Sequence, residues 1–216
     1  PKQVLFVIFF LLVEKLIYYG MKVIALSKKS FKKEVKIALD VLQNGGVIVC
    51  PTDTVYGLLA NATNRKAVQK VFLIKGREKG KPLPIFVKDI VMAKILAKVS
   101  LLQGKYMKKV WPGKTTLILK SKGVLPKETG TKEFIGIRIP KHKFIQAILK
   151  EIDIPLTGTS ANLARKPSLA DSKDIIEVFD RRKHKPDIVI DAGKLPYPRP
   201  SKVIDITKTK PKVLRK

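Results

Sequence analysis

From Met21 onward, short apolar runs alternate with amphipathic stretches, with neither a linker nor an internal repeat between them. That alternation narrows the fold most, because strands that take turns with helices bury their apolar sides only as an α/β domain. The runs "KVIAL", "GVIVCPT", "LPIFV", "TTLILK", "IGIRI", "IPLTG", "DIVID" and "KVIDI" have strand length and composition. The stretch "SFKKEVKIALDVLQNGG" puts Val35, Ala38, Leu39 and Leu42 on one helical face and stops at Gly45 or Gly46. In "NRKAVQKVFLIKG", Ala67, Val68, Val71, Phe72 and Ile74 recur at helical spacing, with Asn64 as N-cap and Gly76 as terminator. Further helices are expected over 89–98, 101–110, 142–150 and 172–180. The segment "TTLILKSKGVLPKETGTKEFIGIRI" leaves no room for a crossover helix, so the sheet should be mixed. One α/β domain over 21–216 is expected, and the lysine-rich tail "TKTKPKVLRK" shows no sign of a second.

The first twenty residues, "PKQVLFVIFFLLVEKLIYYG", stand apart from this pattern. Residues 4–13 are apolar, but Glu14 and Lys15 end the run, well short of the roughly twenty residues a membrane span needs. No basic leader or small-residue cleavage site marks a signal peptide. Residues 1–20 are therefore read as an extension outside the fold, a membrane anchor being the other reading.

Charge is the outlier in composition: 45 Lys and Arg against 17 Asp and Glu, a net +28. Such an excess attracts polyanions, nucleic acid or nucleotide first, without specifying any of them. The single cysteine, Cys50, suits a reducing cytoplasm. With only His142 and His184 beside it, no protein-bound metal cluster is expected.

Three polar segments interrupt the apolar elements. "PTDTVYGL" (51–58) directly follows a buried strand; it reads as a ligand-facing turn or as an ordinary capped strand-to-helix turn. "KGREKGKP" (75–82) sets Lys75, Arg77, Lys79 and Lys81 at alternate positions between two glycines. An arginine fork with lysine point charges can hold a polyphosphate, although the Walker A spacing is absent and a solvated basic loop is the alternative. In either case Lys75 and Arg77 read as open-loop side chains whose truncation costs little stability. "LTGTSANLARKPS" (156–168) offers Thr159, Ser160 and Asn162 to phosphate or ribose oxygens, or simply to a helix cap.

In order along the chain, "GGVIVCPTDTVYGLLANATN", "VFLIKGREKGKP", "IGIRIPKH", "TSANLARKPS" and "SKVIDI" resemble the threonylcarbamoyl-AMP synthases, the YrdC-like family. The resemblance runs from about residue 30 to residue 206. It implies a twisted sheet flanked by helices with a basic concave face. It also implies a nucleotidyltransferase that joins L-threonine, bicarbonate and ATP into threonylcarbamoyl-AMP and pyrophosphate. A partner enzyme would then pass the threonylcarbamoyl group to a tRNA adenosine next to the anticodon. Carried over by position, the catalytic set falls on Lys75, Arg77, Ser160 and Asn162. Threonine contacts fall on Thr52, Thr54, Arg138, Ser160 and Ser201. Nucleotide contacts fall on Lys75, Arg77, Lys81, Phe134, Asn162, Ser168 and Arg215, with Mg2+ arriving on the ATP. A location in the cytoplasm is implied, with no membrane partner.

The chain departs from the family pattern in places. Asp53 stands where many relatives have Glu, Phe86 where some have a histidine, and Lys202 follows Ser201 where the family has threonine. A non-catalytic module for tRNA or double-stranded RNA is the competing reading, since the charge serves both. The carbamoyl-transfer domains of hydrogenase-maturation proteins share the fold, but sit in longer chains with zinc-finger-like segments.

Overall fold

In the run Val47-Ile48-Val49-Cys50 every side chain is fully buried, and successive residues of a strand face opposite sides. This strand must therefore be covered on both faces, which places it at the centre of a helix-flanked sheet. The computed structural model, which describes residues 21–78, 82–131, 133–196 and 199–216, bears this out. The extension expected over 1–20 lies outside the described residues.

In chain order the elements begin β1 (Lys22–Ala25), α1 (Phe31–Gln43), β2 (Ile48–Cys50), β3 (Gly57–Leu59), α2 (Arg65–Lys75), β4 (Ile85–Phe86), α3 (Ile90–Leu96), β5 (Ala97–Lys98) and α4 (Leu101–Val110). They continue β6 (Thr115–Ser121), β7 (Phe134–Arg138), α5 (Lys143–Ile152), β8 (Leu156–Thr157), β9 (Thr159–Ser160), α6 (Ser172–Asp180), β10 (Ile188–Asp191), β11 (Lys202–Asp205) and β12 (Lys212–Arg215).

The strands make two mixed sheets. The first runs β1-β10-β2-β3-β9 and the second β12-β11-β6-β7-β4-β8, with β5 on β6. In the first, β1, β10 and β2 are parallel while β3 and β9 are antiparallel additions. In the second, β6 pairs antiparallel with β7, as the short connection required. Gly158 separates β8 from β9, so one short segment carries the chain from the second sheet to the first.

Side-chain alternation sorts the core into layers. Val49, Leu58 and Val189 point toward α2 and α6, meeting Val71, Phe72 and Phe179. Ile48, Cys50, Leu59 and Ile190 point the other way, toward α1 and α5. In the second sheet Leu117, Leu119, Ile135 and Ile137 face Met92 and Met107 of α3 and α4. The opposite face of β6 and β7 then carries Thr116, Gly136 and Arg138. Burying these apolar faces is worth roughly 25 cal/mol per Å² removed from water.

The predicted helices stand within a few residues. Asn64 caps α2 by accepting from the Ala67 N–H, and Gly76 ends it in the left-handed region at φ 58°. What periodicity did not reveal are the short strands β3, β5 and β9, which lie outside the apolar runs, and the edge strand β12 in the lysine-rich tail. A strand of two or three residues is too short to display a period of two, and the neighbour it pairs with is far along the chain.

Candidate active site

Pro51 ends β2, and the next turn is closed by its own hydroxyls. Thr52 Oγ1 accepts from the Thr54 N–H at 2.9 Å and donates to Val55 O at 2.6 Å, so the Thr54 hydroxyl donates to Thr52 Oγ1 at 2.8 Å. Asp53 points outward to Arg138 at the end of β7: Arg138 Nη2 donates to Asp53 Oδ1 at 2.5 Å, and the Lys141 N–H to Oδ2 at 3.0 Å. Arg138 also donates from Nε to Gly113 O at 2.9 Å and from Nη1 to Thr54 Oγ1 at 3.2 Å. Its guanidinium lies 5.5 Å from the centre of the Phe86 ring. Burial lowers the Arg138 pKa, with Asp53 opposing and Arg215 adding to the fall. Three of its five N–H groups are thus committed and two remain for a ligand.

A second polar knot sits under the β9 segment. Lys75, the last residue of α2, is buried, and its Nζ donates to Ser160 O at 2.6 Å, Asn162 O at 2.9 Å and Asn162 Oδ1 at 3.1 Å. This corrects the open-loop reading of Lys75. The α2 helix carries one residue further than the basic loop suggests, and that residue faces inward. Burial first, then the nearby Arg77, pushes its pKa down to about 7. Ser160 Oγ donates to Asn162 Oδ1 at 2.5 Å, and Asn162 Nδ2 donates to Leu163 O and Lys166 O. Arg77 lies beyond the helix end, donating to Pro82 O at 3.0 Å, with its pKa lowered by burial.

The third group comes from the tail. Arg215 of β12 donates from Nε and Nη2 to Ser201 O at 3.0 and 2.8 Å, and Ser201 Oγ lies 3.0 Å from Thr116 Oγ1.

These groups share one cavity of about 160 Å³ at the junction of the two sheets. Of the residues expected at the site, Thr52, Thr54, Arg77, Arg138, Ser160, Ser168, Ser201 and Arg215 line it. Lys75 and Asn162 stand one hydrogen bond behind its wall, through Ser160. Lys81 lies outside the described residues. Phe134 is not among the lining residues; it starts β7, about 13 Å of strand from Arg138. Its N–H and C=O are both engaged with Thr131.

Tyr56 and Gly158, within the polar segments 51–58 and 156–168, also form part of the wall although neither was assigned a contact. Tyr56 lines the cavity while its hydroxyl accepts from the Ala192 N–H at 2.9 Å and donates to Gly193 O at 2.8 Å. Gly158 must be glycine, since a Cβ there would stand 2.3 Å from the Phe86 ring. Among the described residues no group of three or more His, Cys, Asp or Glu could hold a metal ion. None of the described helices is long and apolar enough to cross a membrane.

The Sua5–YciO–YrdC family model, described as "Telomere recombination", matches residues 40–216. A Methanocaldococcus jannaschii protein named "Putative threonylcarbamoyl-AMP synthase" is 41% identical over 86% of this chain and 86% of its own. The Pyrococcus abyssi threonylcarbamoyl-AMP synthase is 33% identical over 84% of this chain, which spans 53% of that longer protein. The structure of P. abyssi Sua5 complexed with L-threonine superposes with a TM-score of 0.82 at 30% identity, covering 89% of this chain and 56% of that one.

Proposed function

This chain belongs to the Sua5–YciO–YrdC family, and we propose that it is an L-threonylcarbamoyladenylate synthase. Threonine's amine adds to bicarbonate or carbon dioxide to give a carbamate, with water lost in the bicarbonate case. A carbamate oxygen attacks the α-phosphorus of ATP, the bond to the bridging oxygen breaks, and pyrophosphate leaves. No side chain needs to act as a covalent nucleophile, so catalysis rests on positioning and electrostatics.

The observation that carries this reading is the meeting of Arg77, Arg138, Ser160, Ser201 and Arg215 on one small cavity at the junction of two sheets. The two uncommitted N–H groups of Arg138 suit a bidentate grip on the threonine carboxylate, beside the hydroxyls of Thr52, Thr54 and Ser201. Arg77, Arg215, Asn162 and Ser168, with Lys81 and Phe134, are assigned to the nucleotide. Lys75 holds the Ser160–Asn162 turn in shape and, in its protonated form, puts positive charge behind it as pyrophosphate departs. Mg2+ would arrive with the nucleotide and would neutralise phosphate charge there; Asp53 is engaged by Arg138 and Lys141, and no step is assigned to a carboxylate-held metal. tRNA and a transferring partner enzyme complete the reading, in a cytoplasm that suits the buried thiol of Cys50, whose pKa burial raises.

The test is incubation with ATP, bicarbonate and threonine. Threonine-dependent release of pyrophosphate is expected, one per threonylcarbamoyl-AMP formed. A folded chain that binds ATP and releases none would overturn the synthase reading and favour the non-catalytic RNA-binding module.

A further inference from the structure

Among the described non-glycine residues, two have positive φ: Asp153 at 50° and Arg165 at 65°. Asp153 is the C-cap of α5, where the left-handed region is ordinary. Arg165 is different. It is the third residue of the turn Leu163–Lys166, which the Lys166 N–H closes on Leu163 O at 3.1 Å. A positive φ at that place calls for glycine or asparagine. The turn cannot relax away from it. The Ala164 N–H donates to Lys75 O at 2.8 Å, and Asn162 Nδ2 donates to Lys166 O at 2.5 Å.

The side chain so placed reaches across to the basic loop and pairs with Glu78. Both partners are more than half exposed, at 76% and 55%. An exposed ion pair returns little stability, no more than a left-handed arginine costs. Stability therefore does not explain an arginine here. Location does: Gly76, Arg77, Glu78, Ala164 and Arg165 line a cavity of about 330 Å³. Arg77 belongs to this cavity and also to the one described above. Two guanidiniums therefore line one space together with the Glu78 carboxylate.

We propose that Arg165 is a further phosphate-binding residue: its guanidinium leaves Glu78 for the terminal phosphates of the bound nucleotide, in the cavity it shares with Arg77. Glu78 is the counter-ion that holds it until then. The ligand class is a polyphosphate chain, the β- and γ-phosphates of a nucleotide or free pyrophosphate. The identity of the nucleotide rests on the function proposed above; the phosphate site does not.

The test is calorimetric binding of inorganic tripolyphosphate, ATP and AMP to the full chain, without threonine or bicarbonate. Arg165→Gly suits the turn's backbone and should stay folded, with Arg165→Gln as the second variant. Each is expected to weaken tripolyphosphate and ATP by roughly tenfold or more, and to leave AMP within about twofold. Glu78→Gln frees the arginine and is expected to tighten both polyphosphates. A structural latch predicts instead that breaking the pair from either side acts alike. Shifts of the same sign in both variants, an equal loss for AMP, no change at all, or a wild-type chain that does not bind tripolyphosphate would each overturn the proposal. A chain that binds tripolyphosphate through Arg165 yet releases no pyrophosphate would sink the synthase reading alone.

Discussion

Replacing Lys75 with methionine keeps the side chain's length and removes the ammonium that ties α2 to the Ser160–Asn162 turn. Three acceptors lose a donor, but two keep another partner: Ser160 O still accepts from the Asn162 N–H at 3.0 Å, and Asn162 Oδ1 from Ser160 Oγ at 2.5 Å. Asn162 O loses the donor it has here, and an abandoned buried acceptor costs roughly 1–3 kcal/mol. Against this stands the burial of a charge. The folded-state pKa of Lys75 is about 7 against an ordinary 10.5, so between those values the unfolded chain binds a proton that the folded chain does not. Stability from this group is therefore lost as pH falls through 7 and recovered as pH rises toward 10.5, by up to about 1.4 kcal/mol per pH unit. Methionine has no such dependence. Urea midpoints of both proteins at pH 6, 7.5 and 9 should show a small deficit for Lys75→Met at pH 6. The deficit should widen by an amount on the order of 2 kcal/mol by pH 9. A gap that stays flat or narrows would mean that the ammonium is not buried among these carbonyls.

Arg77→Ala should remain folded while threonine-dependent pyrophosphate release falls roughly a hundredfold; Lys79→Ala, at a position with no assigned role, is the control, and equal losses in both would reduce the loop to a basic surface. Arg138→Met should leave the partly buried Asp53 without its ion-pair partner and holding only the Lys141 N–H, at about 1–3 kcal/mol. Adding Asp53→Asn should recover the urea midpoint but not the apparent threonine affinity, and recovery of both would remove the carboxylate role. Gly158→Ala drives a methyl into the Phe86 ring and should cost about 1–3 kcal/mol, a loss that Phe86→Ala in the same chain narrows. RNA binding, measured across a salt series, should fall linearly in log salt; affinity for one tRNA that persists at high salt would show base readout instead.

Local pattern and ordered motifs were enough for the α/β class, the helices, the longer strands and most of the residues that gather at the site. Helical spacing needs only neighbours three and four places away, and Asn64 and Gly76 act within one turn of α2. Several decisions belonged to the tertiary structure. The sheet divides in two at Gly158 because the chain there crosses between layers, and the glycine is enforced by Phe86, a residue distant in sequence. The basic loop begins one residue later than its composition suggests, because Lys75 turns inward to carbonyls 85 and 87 residues away. The tail becomes the strand β12 only by pairing with β11, which brings Arg215 onto Ser201. Local sequence encodes what near neighbours decide. Which buried charge finds which carbonyl, and which short strand finds an edge, depends on partners that meet only when the sheets assemble.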